Sequence, residues 1–182
     1  TLLDAVDGVA QHRQAEIVDN SAAMESDGFL TAEQRANLES RLTWSDDFYG
    51  AIAGAGLVLE AVFERIDIKH DVLRRIERAA ADETVIATNT SAIPIGELAA
   101  ALTRPERFLG VHWFNPAPLL PGVELIPHAS TDRSVIPPIV DMLVAAGKEP
   151  AVVSDSPGFV CNRLQFALFR EAARMVEDGD AS

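Results

Sequence analysis

Short aliphatic runs alternating with helical stripes constrain this chain more than any other feature. Residues 57–62 (LVLEAV), 85–87, 108–114, 123–126 and 151–153 are short and apolar, with the length and chemistry of buried strands. Between the first two, residues 66–81 carry Ile68, Val72, Leu73 and Ile76 in a helical stripe, with Arg74, Arg75 and Glu77 facing out. Residues 95–102 predict a short helix stopped before Pro105, and 134–146 a helix closed by Gly147. This alternation predicts an α/β fold, a doubly wound and mostly parallel sheet with helices on its faces. Ahead of it, Thr1-Leu2-Leu3-Asp4 reads as the end of a strand. A polar helix over 7–26 is then broken at Gly28-Phe29-Leu30, and Thr31 with Gln34 forms a capping-box start for a helix to about Leu42. Ser156-Pro157 predicts the opening of a last helix reaching Asp178, which breaks the alternation and begins a second, helical unit.

The 182 residues suffice for one domain or one and a fraction, and 48% hydrophobic with 24% charged content is that of a globular chain. A net charge of -13 argues against a nucleic-acid backbone binder, which needs a basic face. It leaves room for a small anionic ligand held by backbone amides and one or two cations. No run reaches the ~20 apolar residues of a membrane span, and the N-terminal residues lack the pattern of a signal peptide. Neither nucleic acid nor membrane is an expected partner. The single cysteine, Cys161, rules out an internal disulfide framework and accords with a reducing, cytoplasmic location. Nothing near Cys161 marks a base, so it is expected to be a buried small hydrophobe rather than a nucleophile. The first residue is Thr, not Met, which suggests a natural N-terminus further upstream.

A doubly wound sheet invites a search for the dinucleotide fingerprint G-x-G-x-x-G. Gly54-Ala55-Gly56 fails it, because it precedes a strand instead of following one and Leu59 stands where the third glycine should be. A tight turn is the better reading. Asp4 ends an early strand, where an acid about 20 residues past the glycine motif binds adenosine ribose hydroxyls; acids also end strands for no such reason. Asn89-Thr90-Ser91 follow an aliphatic strand, at the crevice that parallel strands build at their C-terminal ends. Three small hydrogen-bonding residues there suit a cofactor amide or a substrate oxygen, and equally a helix cap.

His112 lies in a strand-turn unit and Glu124 on the next strand. If the strands are neighbours, the carboxylate can fix the imidazole tautomer and stabilise the imidazolium, which makes a proton-transfer device near neutral pH. The alternative is a satisfied core histidine. His12, His70 and His128 have no ligand spacing with it, so no metal site is expected. Asn162 lies one turn inside the predicted last helix, where its poor helix propensity favours a reason to keep it.

Taken together, ATNTSAIPI, FLGVHWFNPAPLLPGVELI and DSPGFVCNRLQFALFREAARMVEDGDAS resemble the L-3-hydroxyacyl-CoA dehydrogenase family. The resemblance extends back through LVLEAVFERIDIK to TLLDA and covers essentially the whole chain. It implies a Rossmann-type NAD-binding domain over residues 1–155 that lacks its first βα unit. Residues 156–182 would be the first helix of an all-helical C-terminal domain for substrate and dimerisation. By resemblance, His112 is the catalytic base and Glu124 its orienter, while Ser91 and Asn162 hydrogen-bond the substrate oxygen. Asp4 takes the adenosine ribose and selects NAD over NADP. Glu64, Lys69, Asn89 and Asn115 match positions around the cofactor or its crevice. The implied whole protein is a homodimeric oxidoreductase of fatty acid metabolism, as in beta-oxidation, acting on a small molecule.

Three departures qualify this. The glycine-rich unit is absent, and the helical domain stops after one helix, so the chain alone is expected to be inactive and poorly stable. Glu16, Asp19, Glu25 and Asp27 dominate a stretch where the acyl-CoA enzymes place basic contacts to CoA. VELIPH and NRLQFA resemble the L-gulonate 3-dehydrogenase and lambda-crystallin branch, whereas the NTS and FNP blocks resemble the acyl-CoA branch. The substrate is therefore open between a 3-hydroxyacyl-CoA and a CoA-free 3-hydroxy acid such as L-gulonate. A non-catalytic, crystallin-like structural relative is the reading of another class.

Overall fold

The structure is a computed structural model and describes residues 1–181. It forms two compact units, Thr1–Ala55 and the chain from Gly56 onward. The first unit holds α1 (Val9–Ser26), α2 (Ala32–Arg41) and α3 (Phe48–Ala53). The expected capping box opens α2: Thr31 Oγ1 accepts the Gln34 N–H at 3.1 Å and Gln34 Oε1 accepts the Thr31 N–H at 2.8 Å. The strand expected over Thr1–Asp4 is not formed. Only an isolated parallel bridge joins Leu2 to Trp44, with too few paired residues to extend into a ladder. α3 has no counterpart in the sequence reading, although Asp47 caps it by accepting the Gly50 N–H at 3.0 Å.

The second unit is built on a five-stranded sheet in the order β1 (Leu57–Glu60), β2 (Val85–Thr88), β3 (Phe108–Trp113), β4 (Gly122–Pro127) and β5 (Glu149–Val152). β1, β2 and β3 run parallel, β4 is antiparallel to β3, and β5 is parallel to β4. The reversal follows from chain length. Residues 114–121 are fewer than the dozen or more that a parallel crossover needs, so β3 and β4 form a hairpin. α4 (Ile66–Ala79), α5 (Ile95–Ala99) and α6 (Ile136–Ala145) supply the other connections. This is the mixed, mostly parallel α/β sheet of a Rossmann-like fold.

Alternate strand positions Val85, Ala87, Leu109, Val111, Val123 and Leu125 form one buried cluster with Val135, Ile139 and Leu143 from the α6 side. α5 closes against the sheet at Gly110, where a β-carbon would lie 2.6 Å from Ile95 Cδ1. Glu77 is buried and not outward-facing as the helical stripe predicts: it ties down the end of α4, its carboxylate accepting the backbone N–H groups of Thr103 and Arg104 at 3.0 and 2.8 Å.

The last helix, α7 (Cys161–Glu177), starts later than Ser156-Pro157 predict. Gly158 and Phe159 take left-handed conformations with φ of 73° and 48°, which no helix accommodates. Phe159 is fully buried, so tertiary packing of its ring overrides the local start signal. Cys161 is exposed, contrary to the expectation of burial, because no residue of α7 is buried.

Candidate active site

β3 and β4 place His112 and Glu124 as direct register partners. Both are almost fully buried, and His112 Nδ1 lies 2.9 Å from Glu124 Oε2. The other carboxylate oxygen accepts the Val160 and Cys161 N–H groups at 3.0 and 2.9 Å. Burial pushes the Glu124 carboxyl up, but the His112 ring and the two backbone donors outweigh it and hold it below the usual carboxylate range. A charged carboxylate only accepts, so Nδ1 of His112 carries the proton. Nε2 is then the ring nitrogen that can take up a proton. It faces Ser91 Oγ at 3.1 Å. Phe114 and Phe159 pack on the imidazole, with ring centroids 5.1 and 5.5 Å away. Partial desolvation of the thiol, although the residue is exposed, and the adjacent Glu124 charge raise the Cys161 thiol.

Ser91 lies just beyond β2. Its backbone carbonyl accepts the Asn162 Nδ2 hydrogen at 3.0 Å, which joins the first turn of α7 to the strand ends. Glu64 holds the Ser91 loop from the other side: its Oε1 accepts from Thr90 Oγ1 at 2.5 Å, Ser91 N at 3.0 Å and Ala92 N at 3.2 Å. Burial raises the Glu64 carboxyl, but these donors and the Lys69 charge reverse the shift to a net lowering. Asn89 Oδ1 accepts the Trp113 N–H at 3.3 Å, fastening the loop to β3.

Ser91, His112, Glu124 and Asn162 thus form one continuous hydrogen-bonded group, with Glu64 and Asn89 bracing the loop that carries Ser91. Lys69 is fully buried, and its ammonium lies 2.9 and 3.1 Å from the two Glu60 oxygens and 3.2 Å from the Asn89 carbonyl. Asn115 is exposed at a cis peptide bond to Pro116. Asp4 lies in the first unit, exposed, accepting the Val6 N–H at 2.9 Å.

Two bracing acids were not singled out from the sequence. Glu60 had a signal, an acid inside an aliphatic run, which must find a partner if buried. Asp155 had none: its oxygens accept the Ile95 and Gly96 N–H groups at 2.9 and 2.8 Å, across some 60 residues of sequence. It therefore ties the start of α5 to the segment leading into α7.

The model of the family described as "3-hydroxyacyl-CoA dehydrogenase, NAD binding domain" matches residues 1–156. The chain belongs to this 3-hydroxyacyl-CoA dehydrogenase family. Solved structures agree with the family assignment. FadB2 of M. tuberculosis is 34% identical with a TM-score of 0.90, the match covering 99% of this chain and 64% of that one. The (S)-3-hydroxybutyryl-CoA dehydrogenase of Ralstonia eutropha is 32% identical with a TM-score of 0.91, covering 99% and 63%. An NAD+ dependent dismutase, 5-formyl-3-hydroxy-2-methylpyridine 4-carboxylic acid 5-dehydrogenase, is 34% identical with a TM-score of 0.84, covering 98% and 57%. The chain therefore spans somewhat less than two thirds of the length of these relatives.

The family's cofactor is NAD, and the donor set at the strand ends fits its nicotinamide and ribose end. Glu64 is a part-exposed carboxylate, an acceptor for ribose hydroxyls or a carboxamide NH₂, and it is bound to the backbone N–H of Ser91. The diphosphate end has no such match, since G-x-G-x-x-G does not occur in the 182 residues.

Proposed function

We propose that the protein carrying this chain oxidises the 3-hydroxyl of a 3-hydroxyacyl-CoA to the 3-keto form. The observation that carries the proposal is the Ser91–His112–Glu124 relay, whose buried His112–Glu124 pair aims Nε2 at the hydroxyl oxygen of the exposed Ser91. In this reading the substrate oxygen sits by Ser91 Oγ and the Asn162 amide. His112 Nε2 takes the hydroxyl proton, and Glu124 stabilises the imidazolium that forms. NAD, when bound, supplies the acceptor for the hydride leaving C3. Phe114 and Phe159 keep water from the imidazole, and Glu64 holds the Ser91 loop in place. In the same reading Asp4 binds the adenosine ribose, and the exposed apolar residues of α7 away from the Arg163–Arg170 face, Leu164, Leu168 and Phe169, support a homodimer.

A second reading keeps this chemistry on a CoA-free hydroxy acid. It is favoured by the likeness to the dismutase named above, whose substrate is a free pyridine carboxylic acid. The deciding experiment is a substrate panel on the full-length protein with NAD. Turnover of 3-hydroxybutyryl-CoA well above free 3-hydroxybutyrate and L-gulonate is expected. Preference for a free acid would establish the second reading, and no turnover of any member would refute both.

A further inference from the structure

A cleft of about 840 Å³ lies beside the catalytic group, lined by Ser91 and Asn162 together with Arg163, Phe166, Ala167 and Arg170 of α7. The last four follow the spacing i, i+3, i+4, i+7 and share one helix face. Along that face the backbone positions of the two arginines stand about 10 Å apart, at 1.5 Å per residue, with Phe166 and Ala167 between them. Neither arginine has an acidic partner among the described residues, whereas Arg174 on the same helix pairs with Glu171.

The setting gives these two cations weight. With 28 acidic residues against 15 basic ones, the chain as a whole repels anions. Local positive charge beside Ser91 offsets that field for an anionic substrate. Guanidinium forks match carboxylate and phosphate oxygens in paired hydrogen bonds.

We infer that Arg163 and Arg170 form the anion-recognising wall of the substrate cleft, reading a carboxylate or phosphate that the substrate carries beyond its reacting carbon. The inference rests on the proposed dehydrogenase reading and adds the substrate's charge class to it. A CoA ester offers phosphates and a free hydroxy acid offers a carboxylate, and the two sources are separable by experiment.

The test measures kcat/KM in the full-length protein for acetoacetyl-CoA, free acetoacetate and the uncharged acetoacetyl-N-acetylcysteamine thioester. The R163Q/R170Q double variant is compared with wild type. The charged-to-neutral kcat/KM ratio is expected to fall at least tenfold, mainly through KM, with partial recovery in R163K/R170K. Loss for acetoacetyl-CoA alone assigns the wall to phosphate, and loss for acetoacetate assigns it to carboxylate. An unchanged ratio overturns the inference while leaving the dehydrogenase reading standing. If wild type turns over none of the three, the dehydrogenase reading fails, and equilibrium binding of CoA and of acetoacetate decides the wall. Tenfold weaker binding of either by the double variant supports it, and equal binding overturns it.

Discussion

His112 and Glu124 meet across the one antiparallel strand pair of the sheet, with Nδ1 and Oε2 2.9 Å apart and both side chains buried. The hairpin that reverses β4 is therefore what brings base and orienter together. The backbone at the start of α7 completes the arrangement by donating to the second Glu124 oxygen.

This geometry sets a pH dependence. The Glu124 carboxyl titrates below its ordinary value of 4.5, so between the folded and unfolded pKa values the unfolded chain binds more protons. The stability Glu124 contributes is present above 4.5 and is lost as pH falls through the folded pKa. Urea melts of wild type and Glu124→Gln across roughly pH 3–6 should show a steeper acid loss in wild type. Parallel pH profiles would contradict the assignment.

Lys69 and Glu60 are both buried, and each is the other's main charge partner. Lys69→Met leaves an uncompensated carboxylate inside and should cost about 3–5 kcal/mol. Adding Glu60→Leu to that variant should return part of the loss, because two apolar side chains carry no desolvation penalty. Denaturant unfolding of the single and double variants measures both.

Asp155 holds two N–H groups at the start of α5 through charge-assisted hydrogen bonds. Asp155→Ala should destabilise by about 2 kcal/mol, and Asp155→Asn, which retains one acceptor oxygen, by roughly half of that. Equal stability of all three proteins in denaturant would show that α5 does not need this cap.

Gly110 faces Ile95 and Ile126 with no room for a β-carbon, at 2.6 and 3.1 Å. Gly110→Ala should therefore cost about 1–3 kcal/mol by overpacking. A melting temperature equal to that of wild type would mean that α5 can withdraw freely.

The parts of the fold legible in the sequence are those written in local pattern. The aliphatic runs at 57–62, 85–87, 108–114 and 123–126 marked their strands, and the Thr31–Gln34 box marked a helix start. What was not legible depended on distant packing. Ser156-Pro157 carries a helix-start signal, yet the buried Phe159 ring imposes a left-handed turn and delays α7 to Cys161. Asp155 meets α5 only because the sheet brings together residues some 60 positions apart. Lys69 sits one turn into an amphipathic helix, and nothing local indicates that its ammonium ends at Glu60 inside the protein.

The central claim is that His112 Nε2 receives the substrate proton. The most direct test is kcat for reduction of acetoacetyl-CoA by full-length wild type and His112→Ala at saturating cofactor and substrate. Loss of a positioned general acid–base should lower kcat by about 10²–10⁴-fold, with NADH binding retained. A His112→Ala enzyme that keeps wild-type kcat would contradict the account.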